Sequence, residues 1–317
     1  MGVLETAAGP LEFLFEAWRI VWTISQAKAG EVLNALLRPS WTNYFYWLLF
    51  ASLFFWGLEI FKPWRREQGI FRKDFALDAW YMLFNLFVFP LLGFAGVSAL
   101  AELAFLRGIG VERSADLHAL SVAHWPAWVQ ILTLFIARDF VQWCVHRLLH
   151  RVPSLWEFHK VHHSVEQMGF AAHLRYHWME NVVYRTLEYV PLALLGFGPV
   201  NFFLVYVTSL LIGHWNHSNF KLGIGPLKYV LNNPQMHIWH HAHDIPGGHR
   251  YGVNYGLSLS VWDYLFGTAC VPSDGRDIKL GFPGVGSEFP RGFAGQAVYP
   301  FYRSSSGPRS SSASSSS

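Results

Sequence analysis

The chain has 317 residues, of which 52% are hydrophobic, 17% aromatic and only 14% charged, and its formal net charge is +3. A typical soluble domain carries about 25% charged residues, so this composition excludes a disordered chain and favours a membrane protein with several spans. Two cysteines, Cys144 and Cys270, exclude a disulfide framework, and the small net charge excludes nucleic acid as the expected partner.

The first half of the chain is predicted to alternate between membrane segments and short polar loops. Leu11–Ile24 is predicted to form an amphipathic helix that lies at the membrane surface. The apolar runs Tyr44–Phe61 and Ala79–Phe105 are each long enough to cross about 30 Å of hydrocarbon. Basic residues crowd the loop 62–73 between them, and this bias places the loop on the cytoplasmic side.

A third span is predicted over Pro126–Val145, which is apolar except for the ionisable pair Arg138 and Asp139. Residues 182–213 form a longer apolar stretch that is interrupted by glycine and proline at 196–199. Such a break favours a helical hairpin over one long span. The hairpin also keeps the histidines before and after it on the same side of the membrane, where they can meet.

The predicted fold is therefore all-α. It is a polytopic membrane helical bundle of three spans plus a helical hairpin, with a histidine-rich helical cap on the cytoplasmic face. The predicted regions are an N-terminal amphipathic segment (1–43), the membrane spans (44–129), a catalytic region (130–271), an irregular C-terminal segment (272–303) and a disordered serine-rich tail (304–317).

Histidine is concentrated in one part of the chain, since 14 of the 16 histidines lie between His146 and His249. Eight of them form three short boxes. Residues three or four apart lie on one face of a helix, so each box is predicted to present imidazoles that chelate a metal ion. The boxes are His146 and His150; His159, His162 and His163; and His237, His240 and His241.

Eight imidazoles exceed the three or four protein ligands that one zinc ion takes. The boxes are therefore predicted to hold a pair of metal ions, with further ligands drawn from His177, His214 or His217. Imidazole binds iron, zinc, copper and nickel alike, so the ligand type does not choose the metal. Iron is favoured once a redox task is assumed.

Two carboxylates are candidates for supporting the histidines. Asp139 lies seven and eleven residues before His146 and His150, on the same helical stripe, where it would accept the second ring N–H of a ligand. The alternative is an ion pair with an arginine such as Arg138. Glu180, three residues after His177, would support a histidine in the same way, pair with an arginine, or cap a helix.

The histidine boxes and their flanking residues resemble the fatty acid hydroxylase/sterol desaturase superfamily. The resemblance covers about residues 130–270 and is specific, because several spaced motifs occur in order. They are DFVQWCVHRLLH (139–150), LWEFHKVHHS (155–164), LRYHWME (174–180), HSN (217–219), PQMHIWHH (234–241) and NYGLSLSVWDYLFGT (254–268).

This resemblance implies an integral-membrane, non-haem di-iron oxygenase with its active site on the cytoplasmic face. Such an enzyme uses O2 as co-substrate and two externally supplied electrons to hydroxylate, desaturate or demethylate a lipid C–H position. By motif match the eight box histidines are iron ligands, and His177 and His217 are two further ligands. The sequence shows no haem, nucleotide or iron–sulfur motif, so the expected electron donor is a separate protein of ferredoxin or cytochrome type.

Other function classes fit the composition less well. A membrane zinc-dependent hydrolase would use fewer ligands and a glutamate beside a histidine pair, and no His-Glu-x-x-His motif occurs. A haem-binding electron carrier would place single histidines on facing spans, and a metal transporter would scatter its ligands through them. Here the histidines are grouped at the ends of predicted spans. The identity of the lipid is not encoded in any motif.

Overall fold

The computed structural model describes residues 36–89 and 121–303, together with separate positions between residues 15 and 34. Within these residues the chain is helical, with two isolated β-bridges and no strand, which confirms the predicted all-α class. The helices are α1 (Tyr44–Phe61), α2 (Phe75–Leu83), α3 (Ala127–Arg151), α4 (Pro153–His163), α5 (Trp178–Tyr184), α6 (Val190–Leu194), α7 (Pro199–His217), α8 (Pro234–His240), α9 (Val261–Leu265) and α10 (Phe293–Arg303).

Among the described residues, α1 and α3 are long and apolar enough to cross a membrane. The 18 residues of α1 rise by about 27 Å. Helix α1 begins after Asn43, whose Oδ1 accepts a hydrogen bond from the Phe45 N–H at 3.0 Å. Large apolar side chains remain on its outer surface, with Phe50 53% and Leu53 56% exposed, and this is the character of a lipid-facing helix.

Other predicted segments lie partly or wholly outside the described residues. The second predicted span starts in α2, which a π-helical turn (Phe84–Val88) continues, but residues 90–105 are not described. In the predicted N-terminal helix, Phe15, Trp18 and Trp22 are helical and exposed, and most other positions lie outside the described set. The serine-rich tail (304–317) lies outside it as well. The full second span, the N-terminal helix and the disordered tail therefore stay predictions.

The structure forms a turn between helices at the position of the predicted hairpin. Its first arm runs through α5, a π-helical turn (Arg185–Tyr189) and α6, and its second arm is α7. Gly196 makes the turn with a φ of +88°, a left-handed conformation that suits glycine. Pro199 then occupies the first turn of α7, where a missing N–H costs nothing.

The prediction that residues 272–303 are irregular is wrong at its end, because Phe293–Arg303 forms helix α10. Glycine and proline favour an irregular segment, but an apolar stripe on α10 packs inward and stabilises the helix. The ring of Phe293 lies 5.0 Å from that of Tyr81, and Tyr299 is buried against Phe289. Helix α10 thereby closes one side of the bundle against α4.

A sharp corner between α3 and α4 brings the first two histidine boxes together. Val152 ends α3 and also precedes α4, whose first residue is Pro153. Proline suits the first position of a helix, where its fixed φ is already helical. Helices α3 and α7 run side by side with α1 packed on α7, so the ends of α3 and α7 approach the same place.

Candidate metal centre

Nine buried histidines converge at the ends of α3, α4, α7 and α8 and form two groups. Within each group, one ligand nitrogen from every histidine lies within 4.8 Å of all the others. The groups adjoin, since the ring centroids of His163 and His241 are 4.4 Å apart. The first group is His146, His150, His159, His163 and His240, and the second group is His162, His217, His237 and His241.

Helical spacing divides the boxes between the two groups. Residues four apart on a helix point within about 40° of each other, whereas adjacent residues diverge by about 100°. Each pair of box histidines four apart therefore stays in one group. Each adjacent pair is split, so that His162 and His163 join different groups, as do His240 and His241. The two His-His dipeptides thus stand between the two groups.

Short caps and tight packing hold the contributing helix ends. Helix α8 has only seven residues, but the Asn233 side chain accepts a hydrogen bond from the Met236 N–H at 3.1 Å and Pro234 follows at the first position. At the end of α7, Gly213 leaves room for the ring of His173, which a Cβ at this position would overlap. The cap fixes the start of the helix that carries His237, and Gly213 lets His173 pack closely on α7.

Six of the nine histidines donate their Nδ1–H to a fixed acceptor. Five of the acceptors are backbone carbonyls and one is a carboxylate. This bond fixes the neutral tautomer in which Nε2 carries the lone pair and faces the group. The bonds are His146 to Tyr255 O (2.7 Å), His150 to Tyr251 O (3.0 Å), His159 to Glu180 Oε2 (2.9 Å), His162 to Arg175 O (3.0 Å), His217 to Gly213 O (2.8 Å) and His240 to Val253 O (2.8 Å).

The inward nitrogens have the spacing of metal ligands. The Nε2 atoms of His146 and His159 are 3.0 Å apart, and those of His162 and His217 are 3.4 Å apart. Both members of each pair present lone pairs, so neither donates a hydrogen bond to the other. Ligands at about 2.1 Å from one ion lie about 3.0 to 3.4 Å apart for octahedral to tetrahedral angles. The donor set therefore fits a cation in each group.

Burial keeps these imidazoles neutral. It lowers the pKa of His163, His240 and His241 well below the ordinary value of 6.5, and the neighbouring imidazoles lower it further. Buried ring nitrogens without a hydrogen-bond partner remain in both groups, among them Nε2 of His150, His163 and His240. Neutral imidazole is the form that binds a metal, so the groups are prepared for cations.

The sequence predicted that Asp139 would support a histidine or pair with an arginine, and among the described residues it does neither. Its carboxylate accepts hydrogen bonds from Ser258 N (2.9 Å), Leu259 N (3.1 Å) and Trp262 Nε1 (2.9 Å). These donors outcompete an imidazole because the returning loop folds directly over that face of α3. Asp139 is thus an anchor of the loop whose carbonyls orient His146, His150 and His240.

A second aspartate anchors the same loop from its other end. The Asp263 carboxylate accepts hydrogen bonds from the backbone N–H groups of Tyr255 (2.9 Å) and Gly256 (2.8 Å). Asn254, with a φ of +55°, ties the loop to α8 through a bond to Met236 O at 2.9 Å. Sequence reasoning missed the role of this loop because backbone carbonyls leave no side-chain signal.

Glu180 lies where the prediction placed a supporting carboxylate. Its Oε2 accepts the Nδ1–H of His159 at 2.9 Å, and its Oε1 accepts the backbone N–H of His177 at 3.3 Å. Burial raises the pKa of Glu180 to about 7, against the opposing effect of His162 and His177. A cation in the first group would favour its ionised form.

The structure does not bring His177 into either group. Its Nε2 donates to Ala297 O at 2.9 Å and its Nδ1 accepts the Met179 N–H at 3.1 Å, so both ring nitrogens are occupied by backbone groups of α10 and α5. His214 also lies outside both groups and bonds to His173 at 2.8 Å. Of the candidates beyond the boxes, His217 alone joins a group.

A cavity of about 380 Å³ opens beside the histidines and extends between the helices. His146 and His159 of the first group and His162 and His217 of the second line one end of it. Leucines from four different segments contribute to its walls, as is typical of a site for an apolar ligand. A substrate in this cavity would reach both histidine groups at once.

Comparisons with known proteins agree with this site. Residues 131–268 match the family model described as fatty acid hydroxylase. The ornithine lipid hydroxylase OlsE of Rhizobium tropici is 33% identical over 180 residues, which cover 56% of this chain and 52% of that protein. Alkylglycerol monooxygenase of Homo sapiens is 35% identical over 138 residues, which cover 42% of this chain and 29% of that protein.

A third relative has a different named activity. The very-long-chain aldehyde decarbonylase GL1-6 of Oryza sativa subsp. indica is 30% identical over 149 residues, which cover 43% of this chain and 22% of that protein. The chain spans about half the length of these curated relatives or less. No solved structure matches. The match of residues 131–268 to the fatty acid hydroxylase family model confirms the resemblance carried by the histidine motifs.

Proposed function

We propose that this protein is a membrane-bound oxidoreductase that uses O2 to hydroxylate or desaturate a C–H position of a lipid. The observation that carries the proposal is the pair of adjoining all-imidazole groups at the end of one apolar-walled cavity. The relatives named for ornithine lipid and alkylglycerol support a lipid as the substrate class.

We assign the two groups as ligand sets for two iron ions, with His177 left out. Imidazole suits several transition metals, and iron is the choice that fits an oxidation by O2. When bound, the iron pair supplies the redox chemistry with O2 that breaks an unactivated C–H bond. Hydroxylation also consumes two electrons from outside, so a separate carrier of ferredoxin or cytochrome type is part of the proposal.

The chain's own residues perform the remaining tasks. Glu180 and the carbonyls of the loop anchored by Asp139 and Asp263 hold the imidazoles in their metal-binding tautomer. The buried groups exclude bulk water, and the cavity orients one carbon of the substrate towards the histidines. Both Asp139 and Glu180 are therefore positioning residues.

The active site is proposed to face the cytoplasm, next to a polytopic membrane domain. The loop 62–73 lies on the histidine side of α1, because the Trp64 N–H bonds to Asn219 O directly after α7. Lys62 and Arg66 are exposed on this loop, and Arg65 also lies on it. A basic loop beside a span favours the cytoplasmic side.

The test is a comparison of lipid extracts from cells that express the wild type, His240→Ala or His162→Ala, one variant for each group. We expect a lipid that gains one oxygen atom, or loses two hydrogen atoms, only with the wild type. His243→Ala removes a half-buried histidine outside both groups and should behave as the wild type. Turnover by either group variant at the wild-type rate would contradict the proposal.

A further inference from the structure

The cavity also has a polar end around Arg138, which lies about two helical turns before His146 on α3. There the Arg138 Nε donates to Glu188 Oε1 at 2.6 Å and its Nη1 donates to Ser209 at 2.8 Å. The guanidinium also lies 4.4 Å from the centre of the Tyr206 ring. All four side chains line the cavity, and the ion pair is almost fully buried. Ionisable groups at this depth in a membrane protein mark functional sites.

Within the part of the chain that the structure describes, two oxygen atoms at this end lack a hydrogen-bond partner at normal geometry. They are Oε2 of Glu188 and Oε1 of Gln142, both in buried side chains that line the cavity, and the Gln142 amide lies beside the Glu188 carboxylate. Gln142 stands one helical turn from Arg138 on the same face of α3. Buried acceptors are normally satisfied, and an exception calls for a partner. The terminal torsions of Glu and Gln are soft, so a small rotation presents either oxygen to an occupant.

The charge at this end is balanced. Arg138 and Glu188 cancel, and the neighbouring Asp139 turns to the opposite side, where three N–H groups hold it. A carboxylate or phosphate would therefore meet no net positive charge here. A neutral site that contains acceptor oxygens without donors suits a ligand group that is itself neutral and donates a hydrogen bond.

We infer that the Arg138–Glu188–Gln142 end of the cavity is a recognition subsite for a hydroxyl or amide N–H group on the lipid. The inference rests on the proposed function, since it concerns the substrate of the same site. Arg138 precedes His146 by eight residues on α3, a rise of about 12 Å. Anchoring the donor group at that distance determines which C–H bond lies beside the histidines.

The test measures binding without turnover. Iron-loaded, full-length protein in detergent, kept free of O2 and reductant, is titrated with hexadecan-1-ol and with its methyl ether 1-methoxyhexadecane, using tryptophan fluorescence. The two probes differ in one hydrogen-bond donor. A hydrogen bond to a charged acceptor corresponds to about tenfold in affinity, so we expect the wild type to prefer the alcohol by about that factor.

The decisive comparison is the alcohol-to-ether ratio in variants, because the partition of the probes into micelles cancels between proteins. In Arg138→Met/Glu188→Leu the ratio should fall about tenfold, and in Glu188→Gln it should fall partially. The double variant leaves no unpaired buried charge, so folding is protected. The control Lys73→Gln/Glu166→Gln removes an ion pair on the surface and should keep the wild-type ratio.

The same ratio in the wild type and the double variant would overturn the inference, whatever the enzyme activity. Conversely, a protein that oxidises no lipid but shows the Glu188-dependent preference would contradict the proposed function and leave the subsite standing. If Arg138→Met/Glu188→Leu does not fold, the partial fall expected for Glu188→Gln decides the question, and an unchanged ratio there is the contradicting result.

Discussion

The hydrogen bond made by one ring nitrogen of each histidine determines which nitrogen is left to bind a metal ion. In six of the nine, Nδ1 is bound to a carbonyl or carboxylate, and Nε2 is left to face the group. The grouping of the box histidines could be predicted from spacing, since imidazoles three or four residues apart share a helix face. The orienting partners could not, except for Glu180, because most of them are backbone atoms.

The hydrogen bond between Glu180 and His159 can be tested by mutation. Replacing it with Leu removes the acceptor for His159, and we expect metal affinity to fall by about 10- to 100-fold. Glu180→Gln should lose less, because its amide oxygen still accepts the Nδ1–H. The measurement is retention of bound iron during titration with a chelator. Glu67→Gln, at an exposed position, is the control, and an iron affinity of Glu180→Leu equal to that of this control would refute the assigned role.

Asp139 gives a second prediction, in which a side chain acts through a loop. Asp139→Ala leaves two backbone N–H groups and one indole N–H without their acceptor. We expect the free energy of unfolding to fall by on the order of 3 kcal/mol and iron retention to weaken, although no histidine is touched. Thermal unfolding and iron content measure the two effects. Asp277→Asn, at an exposed carboxylate, should change neither, and full iron retention in Asp139→Ala would contradict the loop's role.

Among the elements, the hairpin and the α3–α4 corner decide whether the histidines meet. The hairpin was predictable because glycine and proline interrupt a long apolar stretch, and because a single crossing would separate the boxes. Helix α10 was not predictable from its local sequence, since the packing of Phe293 and Tyr299 outweighs the proline inside it. The length of the second span remains a prediction.

The turn of the hairpin offers a matched pair of glycines for a third prediction. Gly196 has a φ of +88° and its added Cβ would overlap Ser121, whereas Gly198 has a φ of −77° and open space around it. Gly196→Ala should lower the free energy of unfolding by about 1 to 3 kcal/mol, and Gly198→Ala should change it little. Thermal unfolding in detergent distinguishes them, and equal stability of the two variants would show that the turn is not strained.

The helical bundle combines an apolar outer surface with a buried centre of imidazoles. Outward residues such as Leu53 on α1 and Trp128 on α3 remain exposed in the isolated chain, as expected of helices that face lipid. The cavity is lined by residues of α1, α3 and α7 and by members of both histidine groups. The His-His dipeptides are divided between the two groups because adjacent residues on a helix differ by about 100° in direction. This division predicts a site for two metal ions.

The metal content of the full-length protein, purified in detergent under anaerobic conditions and supplied with ferrous iron, tests this claim most directly. We expect about two tightly held iron ions per chain, and His243→Ala, outside both groups, should retain the same number. A wild-type protein that holds a single metal ion, or that takes up no iron while folded, would contradict it.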